Sequence, residues 1–153
     1  MPHTGNIDET LVGEQELLMR AKLHVKGGLN RFSQGMTADA IAAFYDAISS
    51  AMQRYVILDG VNHKLIRHDD DVSNDGLLFK VLLRSGIFDD GTTQEDFEFI
   101  EQTLEDAFED QLETFDETSF LEKTISLLNQ LGVISDDMDI SSASSFQSRS
   151  STP

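Results

Sequence analysis

Cysteine and tryptophan are both absent from the 153 residues. Without cysteine there is no disulfide framework, no thiol nucleophile and no zinc–thiolate site. No apolar run approaches the ~20 residues that a bilayer-spanning helix needs. No stretch of useful length alternates with the two-residue period of a strand, and no internal repeat is evident. Gly-x-Ser-x-Gly and the phosphate-cradling glycine loops are missing, so the sequence signals neither a nucleophile elbow nor a nucleotide pocket. The opening residues, Met1-Pro2-His3-Thr4-Gly5, lack the basic segment and apolar core of a signal peptide. Together with the missing cysteines this makes a reducing cytoplasm the expected setting.

Positive charge is also scarce. Eleven Lys and Arg face 28 Asp and Glu, for a formal charge of −17. The basic residues read as scattered along the chain, and such a surface repels phosphate backbones. Direct nucleic-acid binding is not expected, and neither is membrane insertion. Solubility is the simplest use of the charge.

What is present fits a single helical domain with a Leu, Ile and Phe core. Hydrophobic residues make up 39%, ten of them Phe. Residues 1–6 read as a flexible N-terminus, 7–134 as the bundle and 135–153 as a disordered tail. The tail, SDDMDISSASSFQSRSSTP, is acidic and Ser-rich and too polar to offset its ordering entropy. In the first helix Leu18, Ala21, Val25, Leu29 and Phe32 recur at steps of three and four. Gly27-Gly28 resembles a breaker, yet Val25, Gly28, Leu29 and Phe32 keep one face. One long helix to about Gln34, with Gly28 permitting a close crossing, is therefore expected. A break at the glycine pair is the alternative, since each Gly costs ~1 kcal/mol against Ala.

Gly35 is the expected C-cap and Thr37 the expected N-cap of the next helix. Ile41, Phe44, Tyr45, Ile48, Met52, Tyr55 and Val56 form its apolar stripe, ending near Asp59-Gly60. A short turn between two long helices implies antiparallel packing. Residues 61–75 read as a polar loop. Ser73 or Asn74 caps a short, nearly solid apolar helix, Gly76 to Arg84. Thr92 or Thr93 caps a fourth helix with Phe97, Ile100, Leu104, Ala107 or Phe108, Leu112 and Phe115 inward and Glu and Asp outward. The fifth runs from Glu117 or Thr118 to Leu131, with Leu121, Ile125, Leu128 and Leu131 inward. The fold expected is an all-α, up-and-down bundle of four or five helices.

Few motifs carry chemistry. Asp71-x-Ser73-x-Asp75-Gly76 imitates the first half of a calcium loop, but Leu82 stands where a bidentate Glu is needed. A loop followed by a helix cap is the simpler reading. His63, His68 and Asp70 could offer nitrogen and oxygen ligands to a metal. The histidines are five residues apart, so no helix face unites them, and no metal or other cofactor is assigned. His24, near Arg20 and Lys22, reads as a partly exposed helical residue. Glu105 and Glu109 lie one turn apart and could do acid–base work if one were desolvated. Their place opposite the apolar stripe makes a solvated face the default. That acidic face could also dock a basic partner. No catalytic residue is assigned.

The order of these elements carries a resemblance. A long helix ends at Gly35, a second carries AIAAFYDAISSAM (Ala40–Met52), and a loop with His63 and Lys64 leads to LLFKVLLRSGI (Leu77–Ile87) and an acidic helix. This resembles the HEPN superfamily of small prokaryotic and archaeal helical bundles, over residues 14 to 130. The resemblance implies a four- or five-helix bundle, often a homodimer. Some members are RNases that use an Arg, four to six residues, then a His late in the domain. Here that place holds Leu104-Glu105-Asp106-Ala107-Phe108-Glu109-Asp110, without Arg or His, so RNase activity is not carried over. Members lacking the motif pair with small nucleotidyltransferases, and a non-catalytic interaction module of that kind is the leading expectation. Its homodimer interface would draw on Phe44 and Tyr45 or on the third helix. Gly28, Ala40, Phe44 and Ala47 also match tetratricopeptide spacing, but the unit is not repeated. The alternative is a small-molecule- or metal-binding protein or enzyme with a site near the 63–75 loop.

Overall fold

A computed structural model describes residues 6–59 and 65–134, excepting the side chains of 6–12. The expectations for residues 1–5, for His63 and for 135–153 lie outside the described residues. Five helices and no strand are found among those described: α1 (Asn6–Ser33), α2 (Thr37–Asp59), α3 (Asp75–Arg84), α4 (Gln94–Phe108) and α5 (Glu117–Gln130). Every regular element among the described residues is a helix. No described helix is long and apolar enough to cross a membrane.

Helix α1 runs through Gly27-Gly28 without a break. It ends where Gly35 turns left-handed (φ 77°), and the Met36 amide donates to the Arg31 carbonyl at 2.8 Å. This six-to-one closure satisfies the last carbonyls and reverses the chain. Only Gln34, Gly35 and Met36 separate α1 from α2. Helix α2 is the hub, packing against α1, α3, α4 and α5. Small residues make that possible. Ala40, Ala43, Ala47 and Ala51 are buried between Ile41, Phe44, Ile48 and Met52, so neighbours approach the backbone while large side chains fill the seams.

Seven of the ten phenylalanines form two groups. Phe44 lies 5.8 Å from Phe32 and 6.1 Å from Phe120, with Phe115 stacked 6.2 Å from Phe32. Phe79 stacks between Phe88 at 4.9 Å and Phe97 at 4.7 Å. The first group ties α1 and α2 to α5, and the second ties α3 to α4. Each fully buried Phe contributes roughly 1.5–3 kcal/mol. Helix α3 buries Leu78, Phe79, Val81 and Leu82, as its solid apolarity requires.

One boundary and one helix face differ from the sequence expectation. Helix α4 stops at Phe108, because Asp110 adopts a left-handed conformation (φ 54°) and the Gln111 amide returns to the Asp106 carbonyl at 2.8 Å. Leu112 and Phe115 therefore pack on the core from the connecting segment, not from α4. Ala107 is the inward residue, and Phe108 is 75% exposed. On α5 the inner face also takes Phe120, Thr124 and Leu127, while Ile125 is half-buried.

Gly28 marks a close approach between α1 and α2. A Cβ there would stand 2.6 and 2.7 Å from two Phe44 ring carbons. That ring is fully buried between Phe32 and Phe120 and has no room to retreat. Gly28→Ala is expected to destabilise the fold by about 1–2 kcal/mol, overpacking outweighing the ~1 kcal/mol gain in helix propensity. The adjacent Gly27→Ala meets only the Arg31 guanidinium, at 2.6 Å, which can swing into solvent. It should stabilise by about 0.5–1 kcal/mol. Denaturant unfolding of the two variants checks the opposite signs, and equal effects would refute the close-crossing account.

Candidate functional site

The segment after α2 is tied down by polar side chains. At the end of α2 the buried Asp59 carboxylate accepts the Leu65 and Ile66 amides at 3.0 and 2.9 Å. Arg84, in the last turn of α3, donates to Asp70 at 2.9 and 3.3 Å and to the Leu65 carbonyl at 3.0 Å. The Gln53 amide of α2 donates to the Val72 carbonyl at 3.0 Å. The Arg84 hydrogen bond, with the Arg67 amide at 2.7 Å, holds the Asp70 carboxyl below the usual carboxylate range.

These bonds bear on the sequence-derived metal candidates. Asp70 is already neutralised by Arg84, which lowers its attraction for a cation. His68 is exposed on the same segment. No group of three or more His, Asp or Glu able to hold a metal occurs among the described residues. The calcium-loop imitation is likewise committed elsewhere. Asp71 accepts the Ser73 amide at 3.0 Å and its hydroxyl at 2.6 Å, which also lowers the Asp71 carboxyl. Asn74 caps α3 by accepting the Leu77 amide at 3.0 Å, so the helix begins inside the would-be loop. Leu82 is fully buried.

A second polar cluster joins α2, α3 and α4. The Ser49 hydroxyl donates to Asp75 at 2.9 Å, and the Tyr45 phenol lies near the same carboxylate. Glu101 of α4 covers the first turn of α3, since a Cβ on Gly76 would lie 3.5 Å from its carboxylate. Burial, then the charges of Asp75 and Glu98, raises the Glu101 carboxyl above its ordinary range. Burial, followed by Asp75 and Glu101, raises the Tyr45 phenol. On α4 the carboxyl raised by burial is thus Glu101 beside Asp75, not a member of the Glu105–Glu109 pair. The sequence holds one signal for it. Glu101 directly follows the inward Ile100, on the margin of the apolar stripe.

The two interface candidates are occupied within the chain. Phe44 is fully buried, so the ring surface expected at an interface is covered by α1 and α5. Tyr45 is half-buried against Phe97, with ring centroids 6.1 Å apart. A cleft of about 330 Å³ opens instead beside α5, lined by Asp89, Thr92, Asp96, Glu122, Lys123 and Ser126 among others. Its ammonium group is committed, because Lys123 donates to Asp96 at 3.1 Å and lies 5.6 Å over the Phe99 ring.

The surface that sequence reasoning missed lies on α1. Met19 and Leu23, one turn apart, are 64% and 61% exposed. Arg20, Lys22, Lys26 and Arg31 lie on the same helix, and residues 17–38 contain no acidic side chain. It is the longest acid-free stretch of the chain. The signal was legible as a gap in the acidic residues rather than as a cluster of basic ones. No protein-family model, curated protein or solved structure matches this chain.

Glu101 and Asp70 should respond to acid in opposite ways. A carboxyl whose folded pKa is raised disfavours the folded state at neutral pH, and the penalty disappears as pH falls through that pKa. A lowered carboxyl, as at Asp70, Asp96 and Asp116, contributes stability at neutral pH that is lost as pH falls through its folded pKa. Glu101→Gln is expected to stabilise by up to about 0.5 kcal/mol at pH 7. The gain should vanish below about pH 4, where carboxylates are largely protonated. Thermal melts of both proteins across that range test it. A pH-independent difference would show that Glu101 acts through packing alone.

Proposed function

We propose that this protein is a non-catalytic, HEPN-like interaction module that works as a homodimer. The outer face of α1 carries the reading. Met19 and Leu23 form an apolar pair on a helix of 28 residues, about 42 Å long, whose packing within the chain is chiefly against α2. Contiguous exposed apolar residues rimmed by polar ones mark association surfaces. A helix of this length can supply much of the ~800 Å² per copy that a stable interface needs. The HEPN-like part of the reading rests on the resemblance drawn from Ala40–Met52 and Leu77–Ile87, and the five described helices supply the helical architecture it requires. A small nucleotidyltransferase as the client of the dimer rests on that resemblance alone.

Light scattering over a range of concentrations tests the dimer. The wild type is expected at twice the chain mass, with a melting temperature that rises with protein concentration, and Met19→Ser/Leu23→Ser at the chain mass, still helical but with a melting temperature independent of concentration. Zinc or calcium should shift neither mass nor melting temperature, because a ligand stabilises only the state that binds it. A wild type that stays monomeric at high concentration would overturn the proposal.

A further inference from the structure

The homodimer reading leaves open which surface of the second copy meets α1. We infer that the basic, apolar face of α1 docks on the acidic face of α4 of a second copy, so that the dimer contains this contact twice. The inference rests on the homodimer reading and adds the counter-surface.

The argument begins with charge. Each copy carries −17, so two copies repel unless an interface brings opposite charges together. The acid-free stretch 17–38 is the region that relieves this repulsion, and α1 presents it. The ion pairs formed among the described residues engage Arg54, Arg84 and Lys123, leaving Arg20, Lys22 and Lys26 without a carboxylate partner among them. Residues 94–110, spanning α4, are the reverse. They hold eight acidic and no basic residues. Glu95, Glu98, Glu105 and Glu109 are exposed there.

The apolar parts also correspond. Phe108, in the last turn of α4, is 75% exposed, more than Met19 or Leu23. It stands between Glu105 and Glu109 in sequence, as Met19 and Leu23 stand beside Lys22 and Lys26. Lys22 and Lys26 are four residues apart, and so are Glu105 and Glu109. Glu109 is the C-cap of α4, and its amide still donates to the Glu105 carbonyl at 3.0 Å, so both pairs span roughly the 5–6 Å between Cβ atoms of residues one helical turn apart. Two ammonium groups can face two carboxylates while the Phe108 ring fits between Met19 and Leu23. A two-fold axis repeats the contact, giving a self-complementary, closed pair.

Two charge-reversed proteins test this register. In Lys22→Glu/Lys26→Glu both faces are acidic, and in Glu105→Lys/Glu109→Lys both are basic. Each variant alone is expected to dimerise at least about tenfold more weakly than the wild type. Mixed one to one they should form a heterodimer, since each acidic face then meets a basic one. Sedimentation velocity reads all three samples. Recovery of dimer mass on mixing, weakened by added salt, supports the inference. Variants that keep full self-association would overturn the inference and leave the homodimer reading intact. So would variants that are monomeric alone and stay monomeric when mixed. A monomeric wild type would overturn both.

Discussion

The seam between α1 and α2 is the constraint on which the rest of the bundle depends. Gly28 has no side chain, so the buried Phe44 ring can lie against the α1 backbone. Phe44 in that position meets Phe32 on one side and Phe120 on the other, which carries α5 into the same core. Because α2 also touches α3 and α4, a displacement of one ring would be felt by every helix. Close-packed interiors transmit such changes and do not absorb them.

Charge is the second organising quantity. Acidic residues avoid 17–38 and crowd into 94–110. Part of that acidity is structural. Asp96 accepts the Thr93 amide at 3.0 Å at the start of α4, and Asp116 accepts the Ser119 amide at 3.1 Å at the start of α5, where the helix dipole favours an anion. The exposed glutamates farther along α4 have no such local duty. Their field is free to act on another molecule, and the basic face of α1 is the complement that this chain itself provides.

Much of the fold was legible because helical periodicity reports burial directly. Val25, Ile41, Ile48, Met52, Phe97, Ile100 and Leu128 all lie in the core as their spacing required. The continuity of α1 followed from an apolar phase that did not slip at Gly27-Gly28. The end of α4 was not legible, since the apolar phase runs on to Leu112 and Phe115 while Asp110 turns the backbone. The polar clusters were hidden for another reason. Asp75 and Glu101 are 26 residues apart, and only the packing of α3 on α4 desolvates one beside the other. Periodicity shows that the face carrying Phe44 is apolar without showing what covers it, and within the chain Phe32 and Phe120 cover the Phe44 ring. The absence of acid from 17–38 was plain, but it became a surface only when α1 proved to expose Met19 and Leu23.

The three-residue turn at Gln34, Gly35 and Met36 also bears on how the chain reaches its structure. It joins the two longest helices, so their extensive seam forms between neighbours in sequence. Closing so short a loop costs little entropy, and contacts of low sequence separation form early. Helices α3, α4 and α5 are separated by longer connections and bury their apolar faces against α2. An early α1–α2 hairpin would give them a template already in register. The spacing of the elements thereby favours a hairpin that closes from the turn outward, its far end joined last by contacts such as Arg54 with Glu14.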